Sequence, residues 1–273
     1  MKIVSAKEEF TSQLLHLLWE EYASRVAYAR TYQNLLAEMG GTFVNDHLAF
    51  RSLALEANGT YLGIRNVQRI FDALEFSEKG QIDFHETHLL ARYFQHPAPN
   101  FPRIFISELN VERLPSGISE LIKVAVADYE VVLSDYDVGA IAAMKRGESV
   151  SRELLEKTFK FFTTIPWSPP TEAALKMINS ESQYGAWVLL HGYSVNHFTG
   201  SVNAHGIARI GDIELLVEEL KRRGVPMKSE IEGARGSKLR QTSTEAVRVP
   251  VKVKGADGRL KDIEWTYAYM EYA

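Results

Sequence analysis

One order of predicted elements, a strand, a helix and three strands, occurs twice in this sequence and limits its fold more than any single motif. The first copy occupies residues 42–110 and the second occupies residues 183–273. We therefore predict a single compact α+β domain over residues 1–273, in which two βαβββ modules form a curved sheet around a cleft. Residues 1–41 are predicted to form N-terminal helices, and residues 111–182 a helical insertion between the modules.

Local patterns of apolar residues give the element types. Apolar residues recur at three- and four-residue steps within residues 6–38, which predicts one helix there. The first module opens with an alternating strand at 43–55 and continues with helical spacing at 66–74. The second module is predicted to open with a long strand at 187–203, followed by an amphipathic helix at 213–224 that stops at glycine.

The opening strands of the two copies can be aligned with each other. The segments VNDHLAF and SVNHFTG, which begin at Val44 and Ser194, match His47 with His197. Paired modules bring their first strands to a shared cleft, so these two imidazoles can converge on a metal ion there. A histidine is more often a hydrogen-bonded or solvated residue than a ligand. The matching positions in the repeat single out this pair among the eight histidines.

The closing strands RIFISEL and TYAYMEY, which begin at Arg103 and Thr266, match Glu108 with Glu271. Two imidazoles and the Glu271 carboxylate leave coordination positions open. Such a set suits non-haem Fe(II) that binds substrate and oxygen, and also catalytic zinc or manganese. Glu108 in a fourth ligand position would favour zinc or nickel lyase chemistry instead, because it removes a position that oxygen chemistry needs.

Two further segments place cations near the predicted cleft. Arg51 follows His47 by four residues and therefore lies on the same face of a strand. Its planar guanidinium could bind a carboxylate at two points, although an exposed, salt-bridged arginine is the alternative. The stretch 236–244 combines small polar residues with Lys238 and Arg240. It could line an anion or substrate pocket, or form a plain polar strand.

Composition excludes several classes of protein and site. The chain has no cysteine, so disulfides, thiolate metal sites and cysteine nucleophiles are excluded. A net charge of −4 gives no indication of a nucleic-acid partner. No apolar run approaches the roughly 20 residues that span a bilayer. The start MKIVSAKEEF has charges where a signal peptide needs apolar residues. We expect a cytoplasmic monomer or small homo-oligomer that binds neither membrane nor nucleic acid.

Five segments together resemble one family, the 2-oxoadipate dioxygenase/decarboxylases. This family belongs to the vicinal oxygen chelate superfamily, which also includes glyoxalase I and 4-hydroxyphenylpyruvate dioxygenase. The resemblance extends from the first helices to the last residue. The segments are NDHLAFRSL (45–53), PRIFISEL (102–109), VNHFT (195–199), LRQTST (239–244) and YMEYA (269–273).

The resemblance implies a metal centre and a reaction. His47, His197 and Glu271 would hold Fe(II), although zinc or another divalent metal could occupy the site in a purified sample. Fe(II) and O2 would convert 2-oxoadipate, or a similar 2-oxo dicarboxylic acid, to 2-hydroxyglutarate and carbon dioxide. This reaction is a step of lysine breakdown.

The resemblance also implies a substrate-recognising arginine, which is Arg51 in this sequence. We predict that Arg51 and Gln241 are catalytic and that both bind substrate together with Arg240 and Ser243. The sequence stops two residues after Glu271, so the C-terminal material of longer relatives is expected to be absent, which bears on the identity of the acid. Two alternatives remain: a glyoxalase-like zinc or nickel lyase or hydrolase that works without O2, and a non-catalytic protein that binds a small anion.

Overall fold

The computed structural model describes residues 5–145, 147–237 and 239–273. The charged start of the sequence, on which the prediction of no signal peptide depends, therefore lies partly outside the described residues, and Lys238 lies entirely outside them. In the part of the chain that the structure describes, no helix is both long enough and apolar enough to cross a bilayer.

The N-terminal region is two helices rather than one. They are α1 (Ala6–Arg25) and α2 (Ala27–Glu38), and the chain bends between them at Val26. Ser5 begins α1 with a capping box, in which its hydroxyl accepts from the Glu8 amide and the Glu8 carboxylate accepts from the Ser5 amide. The remaining helices are α3 (Ile64–Ala73), α4 (Ser116–Ala125), α5 (Asp135–Ala143), α6 (Arg152–Thr163), α7 (Glu172–Glu181), α8 (Gln183–His191) and α9 (Ile213–Arg222).

The long strand predicted at 187–203 is wrong in its first part, because α8 continues to His191. Every residue from Gly185 to His191 is buried, so the segment has no polar face to reveal a helical period. Gly192 ends the helix at a φ of 57°, a backbone conformation that glycine adopts without strain. The strand itself begins only at Val195.

The strands follow the predicted order in the first module and a modified order in the second. They are β1 (Asn45–Leu53), β2 (Glu56–Ala57), β3 (Thr60–Tyr61), β4 (Ser77–Phe84), β5 (Leu89–Gln95), β6 (Arg103–Leu109), β7 (Val195–Gly200), β8 (Thr242–Ser243), β9 (Arg248–Lys254), β10 (Leu260–Thr266) and β11 (Glu271–Tyr272).

Within the described residues, seven of these strands form one sheet in the order β4-β5-β6-β1-β7-β11-β8. The first module supplies β4, β5, β6 and β1, and the second supplies β7, β11 and β8. In each module the first strand lies parallel to the last, β1 to β6 and β7 to β11. The modules meet where β1 and β7 pair antiparallel, a junction that we call the seam. The predicted α+β fold with a curved sheet is thus confirmed.

The second module carries an insertion. Backbone bonds link Lys228 to Ser243 and Glu232 to Gln241, so an extended segment lies beyond β8 at the edge of the sheet. The hairpin of β9 and β10 forms a separate two-stranded sheet between β8 and β11 in sequence. The last strand that reaches the main sheet is therefore the two-residue β11 rather than the predicted 266–272 segment.

Alternation along β1 separates the core from the cleft. Leu48 and Phe50 are fully buried, and the Phe50 ring packs against Phe71 of α3. The alternate residues His47, Ala49 and Arg51 line a cavity on the other face of the sheet. The period-2 geometry of one strand therefore places a histidine and an arginine in the same cavity.

The register across the seam corrects one alignment. His47 lies opposite Thr199 and Ala49 lies opposite His197, so a pseudo-two-fold relation makes Ala49 equivalent to Thr199. On the neighbouring last strands, Ala49 pairs with Phe105, whereas Thr199 pairs with Glu271. The structural counterpart of Glu271 is therefore Phe105.

The predicted match of Glu108 with Glu271 is consequently wrong by three residues. The Glu108 carboxylate accepts hydrogen bonds from the Tyr61 hydroxyl at 2.8 Å and from the Ile64 amide at 2.7 Å. It therefore caps the first turn of α3, where a negative charge is favoured by the helix dipole. Glu108 has a structural role at this helix and is not a ligand to the predicted metal centre.

Candidate metal centre

His47, His197 and Glu271 converge at the seam, as predicted from the repeat. They come from the three adjacent strands β1, β7 and β11, and one potential ligand atom of each lies within 4.8 Å of the others. The Glu271 Oε1 lies 3.2 Å from His47 Nε2 and 3.8 Å from His197 Nε2. These three side chains form a candidate site for one metal ion.

Each imidazole is oriented by the residue that precedes it. His47 Nδ1 lies 2.9 Å from Asp46 Oδ2, and His197 Nδ1 lies 3.1 Å from Asn196 Oδ1. Both rings therefore direct Nε2 toward Glu271, an arrangement in which outer hydrogen bonds fix metal ligands. Asp46 and Asn196 were missed as functional residues. The sequence contained the signal, because an aspartate or asparagine stands directly before the histidine in both copies.

A buried hydroxyl links the two modules at the centre. Thr199 donates to Glu271 Oε1 at 2.9 Å, and its Oγ1 lies 3.0 Å from His47 Nε2. Two imidazole nitrogens and a carboxylate oxygen directed at one point are a donor set that fits a first-row divalent metal ion. The residues present therefore fit the metal that the family resemblance implies.

The pKa shifts prepare two of the three ligands to bind a cation. Burial alone would raise the pKa of Glu271, but the neighbouring His197 and His47 and a hydrogen bond from Thr199 lower it to about 2. Burial lowers the pKa of His197 to about 4, so this imidazole is neutral at pH 7. Burial also opposes the charged form of His47, but hydrogen bonds to Asp46 and Glu271 outweigh it and raise its pKa.

An aromatic ring occupies the position that a fourth ligand would take. Phe105 is the pseudo-symmetric counterpart of Glu271, and its ring centroid lies 4.9 Å from that of His47. Tyr93 stacks on its other side at 5.5 Å. Since a phenyl ring cannot coordinate a metal, an ion held by His47, His197 and Glu271 would receive no protein ligand from the position of Phe105.

Arg51 lies in the same cavity as the three metal-ligand candidates. The Arg51 Cζ lies 4.9 Å from the ring centroid of Tyr184 and 5.1 Å from that of Trp187, both on α8. The Tyr184 hydroxyl is fixed by the Ser52 amide at 3.1 Å and by the Ser107 hydroxyl at 2.8 Å. Burial lowers the pKa of Arg51, and no carboxylate pairs with it in the described part of the chain.

The LRQTST segment contributes less directly to the cavity. Arg240 lines it but forms an ion pair with Glu214 at 2.7 Å, which compensates its charge. Gln241 also lines it, and its side-chain amide donates to Glu232 at 2.8 Å. Ser243 is buried opposite Glu271 on β8, and it is not among the residues that line the cavity. Its role in substrate binding stays a prediction.

The His–His–Glu group lies at the seam of two pseudo-symmetric modules, and this architecture is shared with solved structures that include a glyoxalase-superfamily protein. A sequence profile of the 2-oxoadipate dioxygenase/decarboxylase family matches residues 10–273. The chain belongs to this family, so the identification from the five segments is confirmed.

Known relatives agree with this assignment. A chloroplastic 2-oxoadipate dioxygenase/decarboxylase of Arabidopsis thaliana is 27% identical over 236 residues, which are 81% of this chain and 56% of the relative. The chain thus spans about half the length of the curated relatives that it matches.

Solved structures share the fold. A glyoxalase-superfamily protein from Ralstonia eutropha JMP134 superposes with a TM-score of 0.88 at 24% identity, covering 98% of this chain and 83% of that one. Hydroxyglutarate synthase from Oryza sativa, solved in complex with 2-oxoadipate, gives a TM-score of 0.77 at 23% identity, covering 98% and 80%.

Proposed function

We propose that this protein is an Fe(II)-dependent dioxygenase/decarboxylase. It converts 2-oxoadipate, or a similar 2-oxo dicarboxylic acid, and O2 to 2-hydroxyglutarate and carbon dioxide. The observation that carries the proposal is one cavity that contains a His–His–Glu group and an arginine, Arg51, with no acidic partner among the described residues. The family and the names of the curated relatives support the same reaction.

The proposed metal ligands come from both modules. His47, His197 and Glu271 would hold iron, which, when bound, supplies chelation of the 2-oxo acid and reaction with O2. Asp46 and Asn196 keep the Nε2 atoms of the two imidazoles aimed at the metal position. Phe105 keeps one side of the site free of protein ligands, so substrate and oxygen have positions to take.

Arg51 binds the far carboxylate of the substrate and so orients it. Four residues along a strand correspond to about 13 Å, which separates the Cα atoms of Arg51 and His47 enough for the acid to lie between their side chains. The rings of Tyr184 and Trp187 hold the guanidinium from the protein side through cation–π contacts. A carboxylate from the cavity side completes the charge pairing, and this contact fixes the register of the acid against the metal.

Gln241 is the weaker of the two proposed catalytic residues. Its amide nitrogen donates to Glu232, so the side chain is held at the cavity wall. Arg240 and Ser243 complete the proposed substrate-binding set. Arg240 lines the cavity while it is paired with Glu214, and Ser243 pairs with Glu271 on the adjacent strand β8.

The oxygen-independent lyase or hydrolase is the alternative function. It would be favoured by a fourth protein ligand, a position for which Glu108 was the candidate that the sequence left open. Glu108 instead caps α3, and Phe105 stands at the corresponding position. Both observations favour the dioxygenase. Cytoplasmic location, a place in lysine breakdown and a monomer or small homo-oligomer stay predictions.

Oxygen uptake tests the proposal. Protein purified anaerobically and reconstituted with Fe(II) is given 2-oxoadipate, and we expect O2 consumption matched one to one by carbon dioxide release. His47→Ala should abolish both, whereas His16→Ala, at an exposed histidine on α1, should change neither. Iron-replete protein that consumes no O2 with 2-oxoadipate or 2-oxoglutarate contradicts the proposal. Turnover of a zinc-loaded sample without O2 would support the lyase or hydrolase.

A further inference from the structure

Two large apolar side chains are exposed together at the mouth of the metal cavity. Ile82 and Phe84 of the edge strand β4 are 46% and 47% exposed, and both line the cavity. Single exposed apolar residues are ordinary, but an apolar cluster beside a ligand cavity indicates contact with an apolar group. The metal and the carboxylate of the proposed reaction do not account for these residues.

The sheet register continues the apolar surface inward. Ile82 pairs with Ala91 and Phe84 pairs with Leu89, so these four side chains form a two-by-two patch on β4 and β5. All four line the cavity. We call this group the apolar patch. It is the part of the first module's cavity wall that is farthest from the seam.

The apolar patch lies in one transverse row with Arg51. Ala91 pairs with Ser107, and Ser107 pairs with Arg51. Adjacent strands lie about 4.8 Å apart, so the row from Arg51 to Ile82 spans roughly 14 Å. A ligand that reaches from Arg51 toward the cavity mouth therefore crosses a small polar residue and then an apolar surface.

The opposite wall is more polar in the part of the chain that the structure describes. The second module lines the cavity largely with polar side chains, among them Asn203, Ser237 and Gln241, and Leu239 is its single large exposed apolar residue there. The other two arginines that line it, Arg103 and Arg240, are paired with acidic residues. The cavity thus combines one cation that has no partner in the described part of the chain with one apolar wall.

We propose that the apolar patch is a subsite for an alkyl or aryl substituent of a 2-oxo acid whose carboxylate binds Arg51. This inference rests on the proposed function, and it widens the substrate class from unbranched dicarboxylic acids to acids with an apolar substituent. The patch is continuous with the cavity that holds the metal ligands, which favours a group of the substrate as its occupant. A cavity of about 850 Å³ lies in the range that accepts ligands of drug size, and so has room for such a group.

Binding to a redox-inert form separates this inference from catalysis. Zinc-loaded protein is titrated calorimetrically with 2-oxoadipate and with the same acid carrying a phenyl group at C4. Burial of part of the ring should make the substituted acid bind about tenfold more tightly. Ile82→Ser and Phe84→Ser, at half-exposed positions of an edge strand, should reduce this advantage to about twofold or less. Leu260→Ser, at a residue 56% exposed on β10 and outside the cavity, should leave it unchanged.

The other possible outcomes distinguish failure of the subsite from failure of the proposed function. If 2-oxoadipate binds and the phenyl group brings no gain, the subsite is wrong and the proposed function stands. If 2-oxoadipate itself does not bind to metal-replete protein, the proposed function fails and the subsite fails with it. If light scattering shows a dimer that Ile82→Ser dissociates, and the phenyl group brings no gain, a second copy of the chain covers the patch instead.

Discussion

The two modules share an order of elements and a pseudo-two-fold relation, but they contribute unequally to the candidate metal centre. The first module supplies one candidate ligand, His47, and the second supplies two, His197 and Glu271. At the position equivalent to Glu271 the first module carries Phe105. The walls of the cavity differ in the same way, since the first is apolar toward its mouth and the second is polar.

This difference shows how a duplicated module can produce an open site. Strict symmetry would give two imidazoles and two carboxylates, a closed set that resembles structural metal sites. Replacing one carboxylate by a phenyl ring keeps the sheet intact and frees coordination positions. The open side of the site thus follows from the first module carrying Phe105 where the second carries Glu271.

The largest effect is expected from removing the carboxylate that only the second module supplies. Glu271→Gln keeps the size of the side chain but removes its charge. We expect Zn²⁺ affinity to fall by more than about 100-fold, the upper range for loss of an outer hydrogen-bond partner, because a direct ligand is lost. Competition with a chromophoric chelator measures this. Glu108→Gln is the matched control, and a loss as large there would restore Glu108 as a ligand.

The residues that hydrogen-bond to Nδ1 of the two histidines should also contribute unequally to metal affinity. Asp46→Ala removes a carboxylate from His47 Nδ1, and we expect metal affinity to fall by about 10- to 100-fold. Asn196→Ala removes a neutral amide from His197 and should cost less, because hydrogen bonds to charged groups are the stronger ones. The same chelator competition compares them. Equal losses would show that charge does not distinguish the two modules.

Restoring symmetry should tighten metal binding and weaken substrate binding. Phe105→His keeps an aromatic ring against Tyr93 while adding a nitrogen ligand on the open side. We expect about tenfold tighter Zn²⁺ binding and weaker binding of 2-oxoadipate by calorimetry, since a free position is filled. Phe105→Leu, which adds no ligand, should leave metal affinity unchanged. Unaltered 2-oxoadipate affinity in Phe105→His would mean that this quadrant is not used by substrate.

The smallest effect concerns the protons on the two histidines in metal-free protein. NMR titration should place His47 above its ordinary pKa and His197 near 4. As pH falls, His197 is protonated in the unfolded chain before it is protonated in the folded protein. Its contribution therefore lowers the free energy of unfolding as pH falls from about 6.5 to 4. The contribution of His47 has the opposite sign, being present below pH 6.5 and lost as pH rises through its raised pKa. Asp46→Asn should lower the pKa of His47 and leave that of His197 in place.

The sequence was sufficient to predict the fold class and the three metal-ligand candidates. Both the alternation along β1 and the repeat can be recognised from the order of residues alone. It failed where tertiary context decides. Residues 187–191 are buried on all sides, so strand and helix could not be distinguished there. The alignment of Glu108 with Glu271 failed because aligning the two copies by residue type does not show which residues pair across neighbouring strands. The registers of β1 with β7, of β6 with β1 and of β11 with β7 together show that Phe105 is the counterpart of Glu271.

The contacts of Arg51 could be predicted only in part. The four-residue step from His47 gives the shared face, but Tyr184 and Trp187 come from α8, more than a hundred residues away along the chain. The ion pair that occupies Arg240 also comes from a different element, since Glu214 lies on α9, although the two residues are much closer along the chain. Sequence patterns identify residues by type and period. Whether an arginine is paired with an acidic residue depends on the packing of the whole protein.

The seam has a consequence for the kinetics of folding. Thr199 and His47 are 152 residues apart in sequence, so their contact closes a very long loop. Pairings of such separation are slow to form, and local elements of each module can form before them. We therefore expect the β1–β7 junction to be weakly developed in the folding transition state. A metal bound across it would then slow unfolding and leave the folding rate nearly unchanged, so it would lengthen the lifetime of the native protein.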